Sequence, residues 1–97
     1  MHNVALLVLM EAKAGKQEEL AAFLKSALPL AVQEPATVSW FSFRIDSSRF
    51  GIFDTFADES GRNAHLNGEI AKALFAKAEE LLAYPPQIER PEILAAK

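Results

Sequence analysis

His65 is the histidine in the interior of this sequence best placed to do chemistry. It follows an abrupt change from apolar to polar residues and precedes Gly68 by three positions. A neutral imidazole can accept a proton from a phenol or a quinol, so His65 is a candidate general base. In the alternative interpretation, the side chain only caps the end of its helix or hydrogen-bonds Asp54.

Asp54 is an acid inside an apolar run. Strand alternation would place it on the same face as Phe50, Ile52 and Phe56. A buried carboxylate must be paired or stay protonated. Arg44 and Arg62 are possible partners, and a structural ion pair is the alternative to a role in binding.

Trp40 and Arg44 would share one face of a strand, two pleats apart. An indole and a guanidinium in that arrangement could hold an aromatic ligand with a polar tip. In the alternative interpretation, Trp40 is ordinary core and Arg44 makes a surface ion pair.

The hydrophobic pattern predicts the elements that position these residues. Both helices should be interrupted, the first by a kink at Pro29 and the second by a break at Gly68. Asp58 or Ser60 should cap the second helix, and Asn67 should cap its second piece. The predicted order is a strand over 3–12, a helix over 16–34, strands over 37–46 and 49–57, a helix from 58 broken before 69–82, and a strand over 87–96.

This order predicts an α+β fold of ferredoxin-like β-α-β-β-α-β type, with a four-stranded antiparallel sheet in a single domain over 1–97. Two helices can cover only one face of such a sheet. The first three strands are nonetheless apolar on both faces, and each large side chain left exposed would cost roughly 1.5–3 kcal/mol. We therefore expect a symmetric homodimer that packs sheet against sheet.

Composition excludes several other classes of function. The net charge of −3, without a basic cluster, argues against nucleic acid as a partner. The absence of cysteine excludes disulfides and zinc–thiolate sites, and two histidines cannot form the usual clustered metal site. No apolar stretch reaches membrane-spanning length, so we expect no membrane partner and a cytoplasmic protein.

The segments "TVSWFSFRID" and "FGIFDTFADESGRNAHLNGEIAKAL" resemble the antibiotic biosynthesis monooxygenase domain family of the dimeric α/β-barrel superfamily. In that family a strand ends in an acid and an aromatic residue two apart, and the next helix ends in a histidine. Asp54, Phe56 and His65 occupy these places, and Glu34–Pro35 matches an acid-containing loop before the second strand. The family more often has Glu and Trp where Asp54 and Phe56 stand. The stretch with Trp40, Phe50–Phe56 and His65–Gly68 resembles a subgroup assigned as quinol monooxygenases.

The resemblance implies that the chain oxidises a small phenolic or quinol-like compound with O₂, without metal or flavin. It implies a pocket between each sheet and its own helices, with His65 as the base. The side chains expected to shape or polarise that pocket are Trp40, Arg44, Asp54 and Phe56. A non-catalytic dimer that binds a small ligand, and a non-oxidative isomerase or lyase, are the alternatives on the same scaffold.

One branch of the resembled superfamily degrades haem. It needs an Asn on the first strand, and a Trp and a His on the second helix. The approximately matching residues here are Val8, His65 and Phe75, none of the required type. We therefore expect no haem site, and the resemblance to enzymes that use neither metal nor flavin implies no other cofactor.

Overall fold

The computed structural model describes residues 3–97 and contains one antiparallel sheet of four strands in the order β2-β3-β1-β4. This order confirms the predicted ferredoxin-like α+β fold. The elements are β1 (Val4–Glu11), α1 (Gln17–Ser26), α2 (Leu28–Val32), β2 (Thr37–Arg44), β3 (Arg49–Phe56), α3 (Glu59–Leu66), α4 (Glu69–Leu81) and β4 (Gln87–Glu89).

The core lies between one face of the sheet and the helices. Alternate residues of β1 and β3 point into it, because successive strand side chains face opposite sides. The helices contribute residues at intervals of three and four, as expected for amphipathic helices. The buried cluster includes Val8, Met10, Phe50, Ile52, Leu20, Leu24, Leu74 and Leu81.

The kink predicted at Pro29 is a division into two helices, α1 and α2, which meet at Ala27. Pro29 lies in the first turn of α2, where a missing backbone N–H breaks no intrahelical hydrogen bond. The chain therefore turns just before the proline and continues as helix to Val32.

The predicted break at Gly68 is also confirmed. α3 ends at Leu66, Asn67 is its C-cap, and α4 begins after Gly68 as its N-cap. The prediction that Asn67 caps α4 is therefore wrong by one residue. Of the two proposed caps for α3, Asp58 fills the position, because its Oδ1 accepts a hydrogen bond of 2.9 Å from the Gly61 N–H.

The last strand is shorter than predicted. β4 pairs with β1 only over Gln87–Glu89, not to residue 96. Pro91 has no N–H to donate to the ladder, so regular pairing stops before it. Beyond the proline, an isolated bridge between Val4 and Glu92 keeps the chain along the same edge of the sheet.

The face of the sheet opposite the helices is apolar. Phe41 is 58% exposed and Phe43 is 36% exposed on this face. Phe53 and Leu7 alternate with helix-facing residues of their strands and are only half-buried. Among the helices formed by residues 3–97, none has the length and apolar character needed to cross a membrane.

The Asp58 cap should stabilise the helix that carries His65. Replacing Asp58 with Ala leaves the Gly61 N–H without its acceptor and should lower the free energy of unfolding by about 1 kcal/mol. Urea unfolding monitored by circular dichroism measures the change. Ser60→Ala, at the exposed alternative cap position, is the matched control and should change stability by less than about 0.5 kcal/mol. Equal effects of the two substitutions would contradict the assignment of the cap.

Candidate active site

The imidazole of His65 lies between two carboxylates from separate parts of the chain. Its Nδ1 is 2.7 Å from Glu34 Oε1, and its Nε2 is 2.9 Å from Asp54 Oδ2. Glu34 belongs to the loop after α2, Asp54 to β3 and His65 to the last turn of α3. The negative end of a helix dipole favours a cation at that position.

Asp54 is fully buried, with 0% of its surface exposed. Burial raises the pKa of Asp54, and His65 offsets this only in part. Although the 2.9 Å contact is short, no hydrogen bond of good alignment reaches either carboxylate oxygen from the described residues. The short distance and the poor alignment make the contact between Asp54 and His65 an electrostatic pair rather than a hydrogen bond.

His65 is 7% exposed. Burial alone lowers the pKa of an imidazole, but here the contacts with Asp54 and Glu34 outweigh burial and raise the pKa of His65 above its ordinary value. The two neighbouring carboxylates therefore favour the imidazolium form.

Glu34 connects this buried pair to the surface. Its Oε1 accepts hydrogen bonds from Thr37 Oγ1 and from the His65 ring, each at 2.7 Å. Two glycines, one in α3 and one just after it, let this part of the chain come close to the loop that carries Glu34. A Cβ on Gly61 would lie 3.2 Å from the Ala36 carbonyl oxygen, and one on Gly68 would lie 3.3 Å from Glu34 Oε2.

A cleft of about 370 Å³ opens beside Glu34 and His65. Its volume falls within the usual range of small-molecule sites, roughly 300–1,000 Å³. Its walls come from the end of α2, the following loop, α3 and the start of α4. They are formed by Leu30, Gln33, Glu34, Pro35, Ala36, Thr37, Gly61, Ala64, His65, Gly68 and Glu69.

Three of the residues singled out from the sequence meet here. Asp54 contacts His65, and the Phe56 ring packs on the imidazole with a centroid distance of 5.4 Å and an interplanar angle of 46°. Both Asp54 and Phe56 are fully buried and neither lines the cleft. Neither possible arginine partner pairs with Asp54. Asp54 contacts His65 instead, which was the other alternative, and Arg62 donates to the backbone carbonyls of Ala5 and Pro91.

The expectation that Trp40 or Arg44 shares the cavity of His65 is also wrong. Trp40 lies opposite Asp54 in the sheet but borders a separate depression beside Val32. Arg44 follows Trp40 by four residues on β2, which separates the two along the strand by about 13 Å at ~3.3 Å per residue. It forms a two-pronged ion pair with Glu18, at 3.2 and 3.3 Å, and stacks on Phe50.

The expected pocket between the sheet and its helices is nearly closed. A cavity of about 30 Å³ lies there, walled by apolar side chains such as Leu6, Ile70 and Leu74 together with His65. That volume accommodates about one water molecule. The larger space that His65 lines is the cleft beside Glu34, at about 370 Å³. Arg44 lines a separate depression of about 430 Å³ with Glu18 and Phe50.

Glu34 is the site residue that reasoning from single residues missed. It is 31 positions from His65 in the sequence, and only its match to an acid-containing loop pointed to it. Within residues 3–97, no cluster of three His, Cys, Asp or Glu side chains is arranged to hold a metal ion.

Solved structures confirm the fold. A proposed antibiotic biosynthesis monooxygenase from Nitrosomonas europaea superposes with a TM-score of 0.84 at 16% identity, over 96% of this chain and 91% of that one. Another from Chloroflexus aurantiacus gives 0.75 at 18% identity, over 98% and 96%. The chain thus has the ferredoxin-like fold of the antibiotic biosynthesis monooxygenase domains that it resembles in sequence.

A nearer relative establishes the family. A second Nitrosomonas europaea protein, of unknown function, is 57% identical over 100% of this chain and 94% of its own, with a TM-score of 0.98. The chain belongs to the same family as that protein. No protein-family model and no curated protein matches the sequence.

The raised pKa of His65 predicts how stability depends on pH. The folded state binds the proton more tightly than the unfolded state, whose imidazole has a pKa of about 6.5. The resulting stabilisation is complete below that pH and is lost as pH rises through the folded pKa. Urea unfolding at fixed protein concentration should therefore give a free energy of unfolding that falls above about pH 6.5.

His65→Gln should flatten this dependence, because the titrating group is gone. Ser60→Ala, on the exposed side of the same helix, should keep the wild-type slope. Stability that rises with pH over this range, or an unchanged slope in His65→Gln, would contradict the charge assignment.

Proposed function

We propose that this protein is a cofactor-independent monooxygenase that oxidises a small phenolic or quinol-like compound with O₂. The observation that carries the proposal is the cleft of about 370 Å³ whose mostly apolar walls meet the Glu34–His65 pair. A flat aromatic ring suits such walls, and a hydroxyl group suits the pair at their end.

The chemistry begins with removal of a proton. A phenol or quinol gives its hydroxyl proton to the Glu34–His65 pair, and the resulting anion is rich enough in electrons to reduce O₂. One oxygen atom then stays on the ring and the other leaves as water, so the ring supplies all the electrons. The protein's part is to exclude water, orient the ring and stabilise the anion.

The test is oxygen uptake on a panel of hydroquinones, corrected for uptake without protein. Wild-type protein should consume O₂, and His65→Asn should lower the rate about 100-fold or more, because it breaks the Glu34–His65 pair that takes up the proton. Ser60→Ala, on the same helix but away from the cleft, should keep the wild-type rate.

One observation favours a second candidate, a non-catalytic protein that binds a small ligand. Both nitrogens of His65 already face carboxylates, which also describes a purely structural ion cluster. Saturable binding of hydroquinones without oxygen uptake would support this candidate. Conversion of the ligand without O₂ would instead support an isomerase or lyase.

We also propose that the apolar face of the sheet packs against a second copy of the chain. Phe41 and Phe43 would otherwise stay in water at a cost of roughly 1.5–3 kcal/mol for each fully exposed side chain. Packing between two sheets removes that cost and makes a symmetric dimer. The cytoplasmic location remains a prediction.

Light scattering tests the dimer. Wild-type protein at micromolar concentration should have twice the chain mass of 10.7 kDa, and Phe41→Lys should shift it toward the monomer. Phe75→Lys is the matched control, since Phe75 is 52% exposed but lies on α4. A monomeric, folded wild-type protein, or equal effects of the two substitutions, would contradict the proposed interface.

A further inference from the structure

The contacts of His65 leave open which atom receives the substrate's proton. The nitrogens Nδ1 and Nε2 lie 2.7 and 2.9 Å from carboxylate oxygens, and the ring is 7% exposed. A base must come within about 2.6–3.2 Å of the proton it removes. A hydroxyl group in the cleft could reach either nitrogen only by displacing Glu34 or Asp54.

Glu34 has the free atom that His65 lacks. Its Oε1 is occupied by Thr37 and His65, whereas its Oε2 has no hydrogen-bond partner among residues 3–97. Oε2 lies beside Gly68, which lines the same cleft. The carboxylate is one-fifth exposed, in contrast to the fully buried Asp54.

We propose that Glu34 is the catalytic base, and that His65 is a positioning residue that stays protonated between Glu34 and Asp54. This inference rests on the proposed oxidation and assigns its first step. The substrate O–H bond breaks as a bond from hydrogen to Glu34 Oε2 forms, and the electron pair stays on the substrate oxygen. No other proton has to move.

Charge balance favours this arrangement. Before the transfer, the imidazolium is paired with the Glu34 carboxylate. After it, Glu34 is neutral and the new phenolate takes its place as the anion next to the imidazolium. The site therefore has the same net charge before and after the step, which limits the cost of forming an anion in an apolar cleft.

The charged groups around His65 support the protonated state. Asp54 faces the ring from β3 and Glu34 from the loop after α2, and both raise its pKa. From α4, Glu69 lines the cleft, but its side chain is 75% exposed and lies 3.9 Å from Lys72, so its charge is largely screened from the ring. Arg62, the cation on the same helix, is directed instead to the carbonyls of Ala5 and Pro91.

The first test does not depend on turnover. Nitrogen-15 NMR of the imidazole distinguishes the imidazolium from either neutral tautomer. We expect His65 to be doubly protonated at neutral pH, with a pKa that falls in Glu34→Gln. A neutral ring at neutral pH would overturn the inference and return the role of base to His65.

The second test separates binding from proton transfer, with methylhydroquinone as the probe. Glu34→Gln keeps the size and polarity of the side chain but accepts no proton from a hydroxyl group. Calorimetry without O₂ should give binding within a few-fold of wild type, while oxygen uptake falls about 100-fold or more. Oxygen uptake by Glu34→Gln at the wild-type rate would overturn the inference.

The direction in which oxygen uptake changes with pH distinguishes the two candidate bases. If Glu34 is the base, oxygen uptake corrected for the uncatalysed reaction falls as pH rises through the pKa of His65. If neutral His65 is the base, uptake rises over the same range. Wild-type protein that neither binds nor oxidises the probe would contradict the proposed function, and the NMR result would still decide which residue holds the proton.

Discussion

The structure around the site depends on one interaction, the imidazole of His65 held between two carboxylates. Asp54 is fully buried, and such a charge is costly unless a cation compensates it. His65, in the last turn of α3, is the side chain that can carry the compensating positive charge, and the loop after α2 supplies the second acid. The close packing permitted by Gly61 and Gly68 sets the distances.

This arrangement divides the site into a buried half and an accessible half. Asp54 and Phe56 lie behind the imidazole and fix its position and charge, out of reach of any ligand. Glu34 lies in front and faces the cleft. In the proposed reaction, Glu34 takes up the proton beside an imidazolium whose charge Asp54 and Glu34 favour, and the mostly apolar walls hold the ring.

Local sequence patterns predicted most of the fold, because strands, amphipathic helices and glycine breaks have signals within a few residues. The contact between Asp54 and His65 was one of the two alternatives for His65, because the strand and the helix that carry these residues follow each other in the sequence. Glu34 was missed as a site residue because its contact with His65 spans 31 positions and exists only after α3 packs on the loop. Arg44 was misplaced because sharing a strand face with Trp40 does not make two residues neighbours.

A crystal structure of the protein with methylhydroquinone, prepared without O₂, would show whether a substrate hydroxyl meets Glu34 in the cleft. We expect the ring against the apolar walls near Leu30 and Ala64, with one phenolic oxygen within about 3 Å of Glu34 Oε2. A ring bound beside Trp40, or a phenolic oxygen on a nitrogen of His65 with Asp54 or Glu34 displaced, would contradict it.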